Sequence, residues 1–454
     1  MKMAPPKSKP PRKSSKDTHS REGKTPDKKA LPRRKAQDQQ QQQRQPKPSS
    51  NNESQNGIDI SHAIPLNLQQ LVLNVFKTAL LPSRHDETGE VSVQSSENPA
   101  PAPASTEGSL DIKSLIQTIK SHLYNRDFDS AFADADEELL RAYALRWSAT
   151  RALGYAGLFK SLLKGLVMGR DDGSDVSPGL MGEKHVVCIG GGAGAEIVAL
   201  AAAWRDLMDE EVVPVKDRSG KQKDLSDALD AVSLDNKTDD TTDSSLSNHH
   251  PGLSVTAIDI ADWSSVVNRL SSTIQSPTVQ SWKSHTAPLL PGGSDTARFE
   301  VNFKRLDVLS LPDPALNSLF HSPKSDTPTA LVTLMFTLNE LFSTSMSKAT
   351  AFLLRITDLL QPGTILLVVD SPGSYSTLKL GKCGDAESAM QERQYPMKFL
   401  LDHTLLSVAK GKWERMFSQD SRWWRRDAAR LWYDVGEGAG LEDMRFQIHV
   451  YRRV

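Results

Sequence analysis

Cysteine is nearly absent from this chain. Cys188 and Cys383 are the two in 454 residues, too few for a disulfide framework and without the paired spacing of a zinc site. A reducing compartment and a metal-free protein are the expectations. Long apolar runs are missing too. No uncharged stretch approaches the roughly 18 residues that a transmembrane helix needs, and the opening MKMAPPKSKPPRK carries charge without an apolar core. The sequence therefore predicts a soluble intracellular protein with no membrane segment. Net charge is small as well, at -1, but it is unevenly spread. Residues 1–50 hold fifteen Lys or Arg against four Asp or Glu, so the rest of the chain is acidic.

Residues 1–57 combine Lys, Pro, Ser and the run Gln39 to Gln43, a composition that cannot offset the entropy of ordering itself. A disordered basic tail is expected, with Lys28 to Lys35 as a nuclear import signal, a nucleic-acid arm or a solubilising segment. Residues 58–82 place Leu68, Leu71, Val72, Val75, Phe76 and Leu80 on one face of an amphipathic helix closed by Pro82. A Ser/Pro/Glu-rich linker, 83–109, follows. Residues 110–454 read as one domain opening with a helical extension, 110–170. Its second helical run, Glu137 to Lys164, carries Arg141, Arg146 and Arg151 beside Trp147 and Tyr155. Arginines among aromatics suit phosphate and base contacts, though a core helix with solvated arginines fits equally. From about 205 to 250 the chain is acidic, Ser/Thr-rich and almost without aromatics, which predicts a disordered insertion.

The stretch His185 to Ala203, HVVCIGGGAGAEIVALAAA, predicts strand, tight loop and helix. Gly190, Gly191, Gly192 and Gly194 remove β-carbons, so a ligand could lie against the backbone, with the N–H groups of the following helix turned toward it. The spacing fits both a nicotinamide dinucleotide loop and an S-adenosylmethionine loop. Further strands are read at Leu253 to Ile260, Phe299 to Leu306, Ala330 to Thr337 and Thr364 to Asp370, alternating with helices, which predicts a parallel α/β sheet. Ligands of such sheets sit at the carboxyl ends of the strands, where Gly190, Asp259, Asp307 and Asn339 fall. A carboxylate at Asp259 can accept from both ribose hydroxyls. Met444 to Arg453 alternates with period two and is read as an antiparallel last strand, which favours a methyltransferase over a dehydrogenase.

With these residues assembled, the chain resembles the class I S-adenosylmethionine-dependent methyltransferases, and among them the fungal 25S ribosomal RNA uridine-N3 methyltransferase family. The resemblance rests on Arg146-Trp147-Ser148, CIGGGAGAE at 188–196, TLNELF at 337–342 and VDSPGSYS at 369–376. FLLDHTLL at 399–406, DSRWWR at 420–425 and LEDMRFQIHVYRR at the end add to it. It covers about Leu110 to Val454. It implies a Rossmann-like sheet, S-adenosylmethionine as cofactor, and a site in which Gly190, Gly191, Gly192, Gly194, Glu196, Asp259, Asp307 and Thr337 hold it. One departure is Cys188, where an acidic residue often ends the first motif.

Uridine N3 carries a proton on the Watson–Crick edge, so the base must be unpaired and its N–H must meet an acceptor. Asn339 and Glu340 are the catalytic candidates. Arg146, Arg151, Tyr375, Arg422, Trp423, Trp424 and Arg425 are the RNA-binding candidates. The resemblance further implies ribosomal RNA or a pre-60S particle as partner, a monomer, and a nuclear or nucleolar location with the cytoplasm as a further possibility. A non-catalytic ribosome-assembly factor with a degenerate fold is the competing reading.

Overall fold

The computed structural model describes residues 63–81, 110–125, 127–168, 183–212, 252–291, 299–325, 327–373, 375–380 and 391–454. They all fall in one compact unit, Ser54–Val454. The tail 1–57, the linker 83–109 and most of the acidic insertion lie outside the described residues.

Nine strands are described: β1 (Lys184–Ile189), β2 (Leu253–Asp259), β3 (Phe299–Arg305), β4 (Thr329–Met335), β5 (Ile365–Asp370), β6 (Tyr375–Leu380), β7 (Gln391–Pro396), β8 (Trp413–Trp424) and β9 (Met444–Arg453). Seven of them make one sheet in the order β3-β2-β1-β4-β5-β9-β8. Strands β1 to β5 run parallel, β9 runs antiparallel to β5, and β8 runs antiparallel to β9. Strands β6 and β7 form a separate antiparallel pair. The inner parallel strands are covered on both faces, so they read as continuous apolar runs rather than alternating ones. Every residue of β5 is buried.

Helices fill both faces. One layer holds α1 (Leu66–Leu80), α2 (Ile112–Tyr124), α3 (Glu137–Tyr143), α4 (Ala149–Met168), α5 (Ala195–Val212) and α6 (Ser264–Ile274); the other holds α7 (Asp313–Asn317), α8 (Leu338–Thr344), α9 (Met346–Leu359) and α10 (Met397–Asp402). Alternation along β1 joins the two cores, with Val186 and Cys188 facing the first layer and Val187 and Ile189 the second. Local chemistry sets several starts. Asp111 caps α2 through Ser114 N–H at 3.1 Å, and Asp136 caps α3 through Leu139 N–H at 2.8 Å. Among the described residues no helix is long and apolar enough to cross a membrane, and no group of three or more His, Cys, Asp or Glu gathers as a metal site.

Three features differ from the sequence reading. The helix expected over 137–164 is two helices, α3 and α4, joined by a π-helical segment, Ala144–Ser148. Helix α5 continues to Val212, past the expected start of the insertion near 205, because Leu207 and Met208 are still core and Asp206 is held by Lys160 of α4 at 2.6 Å. Strand β8 and the β6–β7 pair were not foreseen. Helix α1 buries its apolar face, Leu68 to Leu80, in the same core as α4 and α6. Its polar side is tied down by Gln70, which exchanges two 2.9 Å hydrogen bonds with the backbone of Trp432.

Candidate active site

The carboxyl ends of β1, β2, β4 and β5 meet at one rim. Gly190 and Gly194 take φ of 77° and 81°, which reverses the chain between β1 and α5 at little cost for glycine. The reversal aims the amino end of α5 at the loop. The clearance at two of the glycines is taken by the protein itself. A β-carbon at Gly190 would lie 2.1 Å from Thr337 Oγ1, and one at Gly192 would lie 2.1 Å from Trp263 Cδ1. Glycine at these positions therefore lets the β1 loop press onto the β4 and β2 loops. Trp263 is buried and backed by Tyr143 and Phe132, with ring centroids 5.7 and 6.4 Å away.

Asp259, closing β2, accepts from Gly192 N–H at 3.1 Å and Ala261 N–H at 3.2 Å. Burial raises its pKa to about 6 against the pull of those N–H groups. Glu196, in the first turn of α5, is buried and accepts from the Thr333 hydroxyl of β4. Burial holds its pKa at about 8. It lies against Cys188, whose thiol is pushed up by burial and by the Glu196 charge. An acid from α5 thus lies beside Cys188.

Beyond β4, Phe336 takes φ of 60°, a strained left-handed turn for a bulky residue. It is pinned by Phe336 N–H on Val369 O at 2.7 Å. The turn sets Thr337, buried, at the start of α8. Asn339 donates its backbone N–H to Asp370 Oδ2 at 3.0 Å, while its side-chain Oδ1 is buried with no partner among the described residues. Glu340 is half-buried, and its pKa rises to about 8 through burial and the Asp370 charge, with Arg151 opposing. Arg151 donates to Tyr143 Oη at 2.8 Å and lies 4.8 Å from the Phe336 ring centre. Tyr155 Oη, electrostatically coupled to Arg151 and Glu196, is likewise buried without a partner among the described residues.

Of the predicted residues, the structure gathers the four glycines, Glu196, Asp259, Thr337, Asn339, Glu340 and Arg151 at this rim. Arg151 sits among the rim carboxyls rather than on an outer surface. Arg146 points elsewhere: it is buried and ion-paired to Glu442, on a different face from Arg151, since residues five apart lie about 140° apart around a helix. Asp307 is exposed and caps a turn through Leu309 N–H at 2.9 Å and Ser310 Oγ at 2.6 Å. Tyr375 is exposed on β6; Arg422, Trp423, Trp424 and Arg425 lie at the end of β8. Sequence reasoning missed Asp370, although a carboxylate ending β5 is the same signal that singled out Asp259, and it missed Trp263.

The arrangement has two chemical properties. Glu196, Asp259, Glu340 and Asp370 gather at the strand ends, with the Arg151 charge acting on Glu196 and Glu340, an acid-rich rim that complements a cationic ligand. Two buried polar atoms, on Asn339 and Tyr155, await hydrogen bonds. With a parallel sheet extended by an antiparallel strand, these features define a Rossmann-like methyltransferase. A family described as SAM-dependent methyltransferases matches residues 100–452, and the chain belongs to that family. The 25S rRNA (uridine(2843)-N(3))-methyltransferase of Saccharomyces cerevisiae is 32% identical over 343 residues, 74% of this chain and 76% of that protein. Solved structures give fainter likenesses. A SAM-dependent methyltransferase from Clostridium acetobutylicum matches at 8% identity and TM-score 0.29, covering 74% of this chain and 99% of that one. One from Methanosarcina mazei matches at 10% and 0.28, covering 60% and 93%. Scores this low carry no weight, and the family match carries the assignment. The cofactor is S-adenosylmethionine, whose sulfonium and ammonium suit the acid-rich rim.

Proposed function

We propose that this enzyme methylates N3 of a uridine in large-subunit ribosomal RNA, with Asn339 and Glu340 facing the base. The observation that carries the reading is the partnerless, buried Asn339 Oδ1 beside Glu340, an acceptor set for an N–H at the strand ends. The similarity to the yeast 25S rRNA enzyme supports it. S-adenosylmethionine supplies an electrophilic methyl group when bound. Asn339 Oδ1 accepts from uridine N3–H and fixes the ring edge. Glu340, as carboxylate, takes the N3 proton; with its pKa near 8 it is a stronger base than a solvated glutamate. Asp370 orients Asn339 through the backbone bond, and Glu196, Asp259 and the glycine loop hold the cofactor.

The same reading places the enzyme in the nucleus, at the nucleolus where large-subunit RNA is made, with pre-60S particles as its partner. A fluorescent fusion spread evenly through the cytoplasm would count against this. The direct test is nucleoside mass spectrometry of large-subunit RNA from cells with and without the chain. N3-methyluridine should fall, and the reverse-transcription stop it causes should vanish at one uridine. Restoration by the wild type but not by Asn339→Ala is expected, and an unchanged N3-methyluridine level refutes the proposal.

A further inference from the structure

A second feature lies on the same edge of the sheet, away from the acid-rich rim. Asp370, ending β5, pairs with Gln447 of β9. Strand β9 runs back, so its start at Met444 projects at the carboxyl edge, and Met444 pairs with Trp424 of β8. The end of β8 is therefore two strand spacings from β5, about 10 Å. There, α1, α4 and the β8–β9 edge enclose a cavity of about 130 Å³, with Ile64, Gly154, Leu158, Trp424 and Phe446 in its wall.

Its construction is specific. A β-carbon at Gly154 would lie 2.3 Å from Met444 Cε and 3.5 Å from Trp424 Cγ, so this glycine lets Trp424 reach helix α4 and close the floor. Trp423, in contrast, is 49% exposed. Cross-strand pairing sets Arg445 opposite it, 5.7 Å from the ring centre, and Arg425 lies over the ring at 4.0 Å. Asp443 anchors Arg425 at 2.5 Å, holding the guanidinium on the indole. Arg422 adds another cation to the wall. Alternation along the strand puts the side chains of Trp423 and Arg445 on the face opposite to Trp424, Met444 and the cavity. An exposed indole carrying arginines matches how unpaired RNA is held: the base stacks on aromatic or guanidinium planes while the cations meet phosphate.

We propose that the exposed Trp423 indole stacks one unpaired nucleobase of the substrate RNA flanking the methylated one, with Arg425 and Arg445 meeting its phosphates. The proposal rests on the RNA reading above. It makes the enzyme a reader of two splayed bases, one at Asn339 and one at Trp423, so the strand must be single over the span between them.

The test uses the full chain and a short single-stranded RNA spanning the target uridine, with 5-iodouridine placed at one flanking position at a time. Irradiation should link one flanking position to Trp423, mapped by peptide mass spectrometry. Trp423→Ala should raise KM for this RNA at least tenfold while leaving kcat and the Kd for S-adenosylmethionine within twofold, and Trp423→Phe should recover most of the loss. Crosslinks only at other residues, or an unchanged KM in Trp423→Ala, overturn the proposal. N3-methyluridine is measured in the same wild-type reactions. Methylation without the crosslink defeats the stacking platform alone, whereas the crosslink without N3 methylation defeats the uridine reading and leaves the platform standing.

Discussion

The sharpest perturbation is a single methyl group at Gly192. Its β-carbon would sit 2.1 Å from Trp263 Cδ1, 2.5 Å from Cγ and 2.9 Å from Asp259 Cβ. Trp263 cannot swing aside, since it is buried and backed by Phe132 and Tyr143. Forcing atoms into a packed site costs about 1–3 kcal/mol. Gly192→Ala should therefore lower the melting temperature of the ligand-free chain by at least about 2 °C, before any cofactor is present. Trp263→Ala alone removes a large buried side chain and should cost about 3–5 kcal/mol. In the double variant the methyl enters vacated space, so the two losses should fall short of additive by about 1–3 kcal/mol. Thermal and urea unfolding of the four proteins measure this. If Gly192→Ala melts like the wild type and loses only cofactor affinity, the clearance at 192 belongs to the ligand and the reasoning is refuted.

Other outcomes follow from the same geometry. Folding holds Glu196 and Glu340 near pKa 8, well above the unfolded value of about 4.3. The folded chain thus binds more protons than the unfolded one over that interval, and stability falls as pH rises through 8. His185 and His449, lowered to about 4 by burial, act in the opposite sense, but only below about 6.5. Between pH 6.5 and 8 the ligand-free melting temperature should drop, and Glu340→Gln should flatten the drop; a flat wild-type profile contradicts the placement of both carboxyls. Asp259→Ala should weaken S-adenosylmethionine binding by about 1.5–3 kcal/mol, read by calorimetry, and an unchanged Kd removes Asp259 from the site. Leu71→Ala, in the buried face of α1, should cost about 2–5 kcal/mol; a loss under 0.5 kcal/mol would mean that α1 is not docked.

The parallel strands were legible because burial on both faces leaves them as unbroken apolar runs, and the positions of Asp259 and Asn339 at the rim follow from those strands' ends. Strand β8 was not. As an edge strand it carries Glu414, Arg415, Ser418, Gln419 and Asp420, only its first residue, Trp413, is buried, and bulges at Arg415/Phe417 and Gln419/Arg422 break its period. Its Trp423-Trp424 pair was noticed as chemistry rather than as a strand. Arg146 and Arg151 are five residues apart, about 140° around a helix, so one pairs with Glu442 while the other stays with the rim. Spacing shows that a β-carbon is missing from the glycine loop but not that Thr337 and Trp263 press against it at Gly190 and Gly192.

The docking of α1 bears on how the chain is made. Its apolar face closes against α6, which starts 184 residues after α1 ends, and its Gln70 binds Trp432, 362 positions away. At about 5–20 residues per second, synthesis of that intervening chain takes roughly 10–40 s. Throughout that time Leu68, Leu71, Val72, Val75 and Phe76 lack the α6 part of their partner surface. A nascent chain in this state is a natural client for a chaperone that shields apolar helices, and slowing translation before codon 264 should increase its aggregation.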